Sequence, residues 1–311
     1  MASTPQLPPL PEVERLSPTC IRILGGNPGK FTLQGTNTYL LGTGRERLLI
    51  DTAEGKPSWI ASLKRVLSSE PNSPVVSTAI ITHWHHDHVG GISDLLSLFP
   101  DCKVYKNQPQ AEAPRGVKLL PLSDGQTFAV EGATLTAVHT PGHTVDHMAL
   151  VLHEENAVFT GDNVLGHGTA VFEDLGVYIP SLEKMRTLYK PAGSTGKAYP
   201  GHGPVLEDGA AKMAEYVRHR RMREEQVVQT MRAAFTAGMQ QEEQNERDGW
   251  WTPLELVRII YRDVPESLHP AAAHGVVQIL LKLQREGKVL ASSTDGEGRW
   301  RLTAAIDRSA L

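Results

Sequence analysis

The sequence predicts an α/β fold: a layered sandwich over residues 19–205, followed by a smaller helical, winged-helix-like domain over 206–311. Three observations carry this. From residue 20 onward, short β-branched and apolar runs alternate with Gly- and Pro-rich turns, the punctuation of short strands. Two such β-rich halves are interspersed with helical spacings, which fits helices layered on sheets. After about residue 206 the periodicity changes to long helices that end in a hairpin. The chain has 311 residues and 40 % hydrophobic residues. That length suits one large domain or two modest ones, and that composition supports a buried core.

The elements follow in order. Residues 1–18, with five prolines, read as an arm laid over a domain. Residues 20–24, 37–41 and 47–51 read as strands separated by Gly-Gly-Asn-Pro-Gly and Gly-Thr-Gly turns. Residues 57–67 place Trp59, Ile60, Leu63, Val66 and Leu67 on one helical face. A buried strand over 77–82 and a helix over 91–98 come next. Strands are then expected at 117–120, 127–130, 134–139, 149–152 and 157–160. A helix over 180–189 and a short strand over 197–199 precede Pro-Gly-His-Gly-Pro at 200–204. In the tail, 208–237 reads as a long helix and 240–250 as a polar loop. Thr252-Pro253 starts an amphipathic helix with Leu254, Leu256, Val257, Ile260 and Tyr261. Val276, Val277, Leu280, Leu281 and Leu283 define another. Residues 288–292 and 299–302 flank Asp-Gly-Glu-Gly, a hairpin turn.

Composition excludes several classes of function. There are 31 Lys and Arg against 35 Asp and Glu, a formal charge of −4. Bulk electrostatic coating of nucleic acid or of an anionic membrane is therefore disfavoured. No apolar run approaches the roughly 18 residues of a membrane span, so no membrane association is expected. The N-terminus lacks an apolar signal core and an acid-poor amphipathic pattern, so a cytoplasmic location is expected. Two cysteines, at 20 and 102, are too few for a disulfide framework or a thiolate zinc cage, and neither lies where a nucleophile is needed. The 13 histidines are the informative residues.

They concentrate in Thr82-His83-Trp84-His85-His86-Asp87-His88, directly after an apolar strand. Strand ends are where α/β proteins place ligands. His83 and His85, two residues apart, can share one ion from an extended turn, and Asp87 with His88 can hold a second. Imidazole beside carboxylate suits Zn²⁺, and also Mn²⁺ or Fe²⁺. Further donors stand at three later strand ends: His143 in His-Thr-Pro-Gly-His, Asp162 after Phe-Thr-Gly, and His202 in Tyr-Pro-Gly-His-Gly. Each is flanked by glycine, which permits close backbone approach. His167, five residues past Asp162, is a candidate substrate or leaving-group contact. His147 is a candidate supporting hydrogen-bonder. His86, His139, His153, His219, His269 and His274 read as structural or surface residues.

The pattern HxHxDH, then a lone His, a lone Asp and a Gly-His, resembles the metallo-β-lactamase superfamily of dinuclear hydrolases, and the likeness extends over roughly 20–205. The resemblance implies an αββα metallo-β-lactamase sandwich. It implies one divalent ion on His83, His85 and His143, and a second on Asp87, His88 and His202. Asp162 would bridge the two, with Asp87 and Asp162 as the catalytic carboxylates. Such a centre lowers the pKa of a water toward neutrality, so the implied chemistry is hydrolysis without a protein nucleophile. Zinc β-lactamases usually carry Cys or Ser replacements in the second site, so antibiotic hydrolysis is disfavoured here.

Longer stretches at 26–39, 49–52, 131–135, 140–148 and 159–169 resemble a lactamase-beta-like branch. It comprises fungal thioesterases that release polyketides from a non-reducing synthase, and animal lactamase-beta-like endoribonucleases. The Pro-rich opening is similar to the fungal members. The leading expectation is thus a polyketide thioesterase of secondary metabolism, with the synthase's acyl carrier protein as partner. A thiol pKa near 8.5 makes the thiolate a leaving group that needs little acid assistance. The alternative is an endoribonuclease on single-stranded RNA. Residues 206–311 hold 15 Lys and Arg against 16 Asp and Glu, which does not make a basic nucleic-acid domain. Arg218, Arg220, Arg221 and Arg223 on the long helix read either as a solvated face balanced by Glu224 and Glu225, or as a phosphate contact. A glyoxalase II-like thioester hydrolase is a further alternative, although glutathione-reading helices have no evident match. A non-enzymatic winged-helix binder is disfavoured by the intact ligand set. The apolar stretch 273–285 suits packing or a homodimer contact better than a major groove.

Overall fold

The computed structural model describes residues 7–108, 117–239, 249–266, 269–292 and 298–303. The chain divides into two compact units. One comprises 1–170 with 180–216, the other 171–179 with 217–311.

The first unit is built on two sheets. The larger runs β1 (Val13–Arg15), β2 (Cys20–Leu24), β3 (Asn37–Leu41), β4 (Glu46–Ile50), β5 (Val75–Ile81), β6 (Lys103–Lys106), β7 (Leu120–Pro121) in spatial as in chain order. Its first four strands pair antiparallel, and the pairings from β4 to β7 are parallel. Parallel neighbours need crossovers. α1 (Pro57–Ser69) and α3 (Ile92–Leu98) supply two of them, with the single-turn α2 (His86–Val89) preceding α3. The second sheet is ordered β12-β11-β10-β9-β8, from β8 (Thr127–Val130), β9 (Ala133–His139), β10 (Met148–Leu152), β11 (Ala157–Gly161) and β12 (Ala198–Pro200).

Side-chain alternation explains the layering. On β3 and β4, Tyr39, Leu41, Leu48 and Ile50 point into a core shared with Leu135, Ala137, Met148, Leu150, Leu152 and Phe159 of the second sheet. Their neighbours Leu40 and Leu49 point the other way, onto Trp59, Leu63, Val66, Ile92 and Leu95 of α1 and α3. Both faces are covered, so strands such as β2 and β10 are buried at every position. The end of β9 and the loop after it are tied to α4 (Leu175–Arg186), where Ser181 Oγ donates to the Pro141 carbonyl and Lys184 Nζ to the His139 carbonyl. This is the expected αββα sandwich.

Several elements differ from the sequence reading. The arm contributes β1 at a sheet edge. β6 was not anticipated, because Lys103-Val-Tyr-Lys offers only two apolar residues to a pattern search. The strand expected at 117–120 reduces to Leu120–Pro121. α4 starts at Leu175, not at Pro180, which lies inside it. A proline best fits a helix's first turn, and Pro180 lies beyond the first turn of this one. The boundary between the compact units falls at that proline, between Ile179 and Pro180.

In the second unit, α6 (Pro253–Ile260) opens with a capping box: Thr252 Oγ1 accepts from Glu255 N, and the Glu255 carboxylate accepts from Thr252 N. α7 (His269–Arg285) buries Val276, Leu280 and Leu283. β13 (Val289–Ala291) and β14 (Trp300–Leu302) form an antiparallel hairpin, and Trp251 bridges to Trp300. The long helix α5 (Gly209–Met239) spans the boundary at Tyr216 and Val217. The polar stretch 240–250 lies mostly outside the described residues, as do residues 1–6 of the arm and most of the turn at 295–298.

Candidate metal centre

Chain ends of four strands converge at one rim of the sandwich. β5 runs into Thr82 and His83, and α2 carries Asp87 and His88. β9 leads to His143, β11 to Asp162 and β12 to His202. Seven ligating atoms gather in two groups, His83, His85, His143 with Asp162, and Asp87, His88 with His202, each within 4.8 Å of its group members. His85 Nδ1 lies 3.0 Å from both His83 Nε2 and His143 Nε2. Asp162 Oδ2 stands 4.0 Å from His83 Nε2, 3.7 Å from His143 Nε2 and 3.1 Å from His202 Nε2. Its other oxygen is 3.4 Å from His88 Nε2. Asp162 therefore reaches both groups.

Surrounding hydrogen bonds set the ring tautomers. Asp51, at the end of β4, accepts from Thr82 N and from Thr82 Oγ1. With its proton given to Asp51, Thr82 Oγ1 accepts from His83 Nδ1 at 3.0 Å, which leaves His83 Nε2 as a lone pair facing the cluster. Asp51 Oδ2 also accepts from His88 Nδ1 at 2.7 Å, aiming His88 Nε2 inward. His147 accepts from Asp162 N through Nε2 and donates from Nδ1 to Thr140 Oγ1. Thus it holds the Asp162 backbone, the supporting role the sequence suggested.

Protonation follows from burial and charge. Burial holds His83 well below the usual imidazole range. It also brings His85 down to about 4, with His143 adding to the effect. Burial opposes charge on His88 too, but Asp162 and Asp51 outweigh it and raise that ring. The same contest, with Asp162 and Asp87, leaves His202 raised to about 9. Burial works against charge on Asp162 and Asp87, yet the neighbouring imidazoles hold both carboxyls well below their usual range.

The donor set fits a divalent ion on two counts. His88 Nε2 and Asp162 Oδ1 are buried with no hydrogen-bond partner among the described residues. Orphaned buried polar atoms are costly unless something else satisfies them. In addition, His85 Nδ1 lies 3.0 Å from each of two further imidazole nitrogens, and the group's ligating atoms all fall within 4.8 Å of one another, which suits one ion about 2.1 Å from each nitrogen. Gly201 makes the approach possible, since a Cβ there would lie 2.2 Å from Asp162 Oδ1.

Of the other candidates, His167 is exposed on the loop after Asp162. Its backbone abuts Gly203, next to His202, and its side chain joins neither group. His86 is exposed, as expected. Both cysteines are buried, Cys102 with its thiol pushed up to about 12, so neither is a nucleophile. On α5, Arg220 lies over Phe172 and Tyr178, and Arg223 over Tyr261, which favours packing for those two arginines. Asp51 and Thr82 were not singled out from sequence, although an apolar strand ending abruptly in Asp is a readable signal.

The fold and this centre define a metallo-beta-lactamase superfamily protein that binds divalent metal. The chain belongs to that superfamily: its model matches residues 31–208, and the beta-lactamase associated winged helix domain matches 252–300. Among named relatives, the chain is 47 % identical to an atrochrysone carboxyl ACP thioesterase of Aspergillus chevalieri, over 95 % of this chain and 90 % of that protein. It is 45 % identical to the lactamase-like protein adaB of Aspergillus niger, over 94 % and 89 %. It is 43 % identical to the beta-lactamase-like protein 2 homolog of Drosophila melanogaster, over 93 % and 95 %. A solved beta-lactamase domain protein from Burkholderia ambifaria shares the fold with a TM-score of 0.72 at 16 % identity, over 97 % of this chain and 96 % of that one.

Proposed function

We propose that this enzyme is a dinuclear metal-dependent thioesterase that releases a polyketide from the carrier protein of a non-reducing polyketide synthase. One observation carries the reading: seven donors from four chain segments meet in two adjoining groups that Asp162 links. One ion would be held by His83, His85 and His143, the other by Asp87, His88 and His202, with Asp162 shared. Zn²⁺ is favoured for the imidazole-rich group, and Mn²⁺ or Fe²⁺ also suit the set. Bound ions would supply Lewis acidity and an activated water at neutral pH. Residues 19–205 would form the catalytic domain, 206–311 the accessory domain, and 1–18 an arm.

The chain's own residues do the rest. Asp51 holds His88 in place, and His147 holds the Asp162 backbone. Asp87 and Asp162 stay ionised, which lets them balance cationic charge and orient a water proton. Trp84 and Val145 are exposed apolar side chains set between ligands in sequence, and the Trp84 ring lies 4.4 Å from that of His85. They offer an apolar acyl group a wall beside the reacting carbonyl. The departing thiolate needs little acid help. His167 would contact that leaving group. The printed name of the Aspergillus chevalieri relative supports the thioester and the acyl carrier protein partner.

The test supplies the metal-loaded chain with acyl-carrier-protein thioesters and, separately, with single-stranded RNA. Metal-dependent thiol release without RNA cleavage is expected. RNA cleavage without thiol release would reject the thioesterase.

A further inference from the structure

Thr36 sits between the two sheets' rims, fully buried, at the end of the loop that carries Lys30 and Phe31. Its hydroxyl has two neighbours, Asn27 Nδ2 at 3.0 Å and Asp87 Oδ2 at 3.0 Å. The direction of each bond is determined. Thr36 N donates to Asn27 Oδ1 at 2.9 Å, so the Asn27 amide faces Thr36 with its NH₂ on the hydroxyl oxygen. That nitrogen can only donate. The Thr36 hydroxyl, already an acceptor there, must place its own proton on Asp87. Asp87 Oδ2 thus receives a fixed hydrogen bond.

The same residue reaches a second member of this group. Thr36 forms a β-bridge with His202, and the next residue, Asn37, donates from N to the Gly201 carbonyl at 2.7 Å. Asn37 Nδ2 also donates to the Pro200 and Gly203 carbonyls. One short segment therefore braces Asp87 through a side chain and His202 through the backbone. The loop is shaped to present Asn27: Gly35 has φ +124°, and a Cβ there would lie 3.3 Å from Asn27 Oδ1.

We infer that Thr36 and Asn27 are positioning residues that fix the Asp87 carboxylate and so set the affinity of the Asp87–His88–His202 group for its ion. The inference rests on the two-ion reading above. Hydrogen-bond partners of metal ligands typically contribute 10–100-fold in affinity. The hydroxyl should matter and the methyl group should not.

The test titrates the metal-free chain with Mn²⁺ and follows the free ion by electron paramagnetic resonance, with no substrate present. Thr36→Val should weaken the second ion by about 10–100-fold and leave the first unchanged. Thr36→Ser, which keeps the hydroxyl, should restore wild-type binding. Asn27→Asp keeps the acceptor for Thr36 N but removes the donor, freeing the hydroxyl to turn away from Asp87. It should weaken the second ion as well, and it decides the matter if the valine variant does not fold. Two ions in the wild type with unchanged second-ion affinity in the folded variants would overturn the inference alone. A single ion in the wild type would overturn the two-ion reading, and the inference with it.

Discussion

At the scale of single residues, the site depends on where each proton sits. Asp51 accepts hydrogen bonds from Thr82 and His88, and this leaves His83 Nε2 as an inward lone pair and aims His88 Nε2 at the cluster. Asp51→Asn would put a donor where two donors already point. It should weaken metal binding by about 10–100-fold, read by equilibrium dialysis, while the far-ultraviolet circular dichroism stays native. Asp162→Ala removes the carboxylate that touches both groups. Turnover should fall to background and bound metal should fall below the wild-type content. Retained turnover would remove Asp162 from the mechanism. The thiols give a simpler check. Burial raises Cys20 far above the usual thiol range and Cys102 to about 12, so neither forms appreciable thiolate at neutral pH. A thiol reagent such as DTNB should label neither in the native chain and both after denaturation.

At the scale of elements, strand ends and helix packing hold the donors in place. Trp59 of α1 is fully buried, and its indole Nε1 donates to Thr38 Oγ1 on β3 at 2.9 Å. Trp59→Ala should cost about 3–5 kcal/mol in urea melts, from the cavity it leaves. In the second unit, Arg285 of α7 grips Asp174 with two bonds, at 2.6 and 2.7 Å. The hydrogen bond from Arg285 holds the Asp174 carboxyl below its ordinary value. A depressed carboxylate stabilises fully above the unfolded carboxylate pKa, and the stabilisation is lost as pH falls through the folded value. The pair is 53 % and 34 % exposed, so solvent screening limits it to about 0.5–1 kcal/mol. Arg285→Met should lower the urea midpoint at pH 7, and the gap to wild type should close as pH drops toward 3.

Which elements were legible follows from how local their causes are. α6 was readable because its start is written in four adjacent residues, Thr252 to Glu255. The metal donors were readable because His and Asp recur at strand ends beside glycine. Asp51 and Thr36 escaped because their roles arise from partners 31 and 51 residues away, brought together by sheet pairing. α4 began early because its first turn belongs to the second compact unit, a long-range packing fact that no local pattern around Pro180 records.

At the scale of the whole molecule, two sheets bury their shared faces and present their loops at one rim, where the seven donors collect. The sheets supply rigidity and the loops supply chemistry. No helix among the described residues is long and apolar enough to cross a membrane. The central claim is that Asp162 joins two ion sites into one hydrolytic centre for a thioester. It is tested most directly by titrating the metal-free chain with Mn²⁺ or Zn²⁺ while thiol release from an acyl-carrier-protein thioester is followed. No release is expected without metal, and the rate should reach its plateau at two ions per chain. Full release by the chelator-treated chain would contradict it.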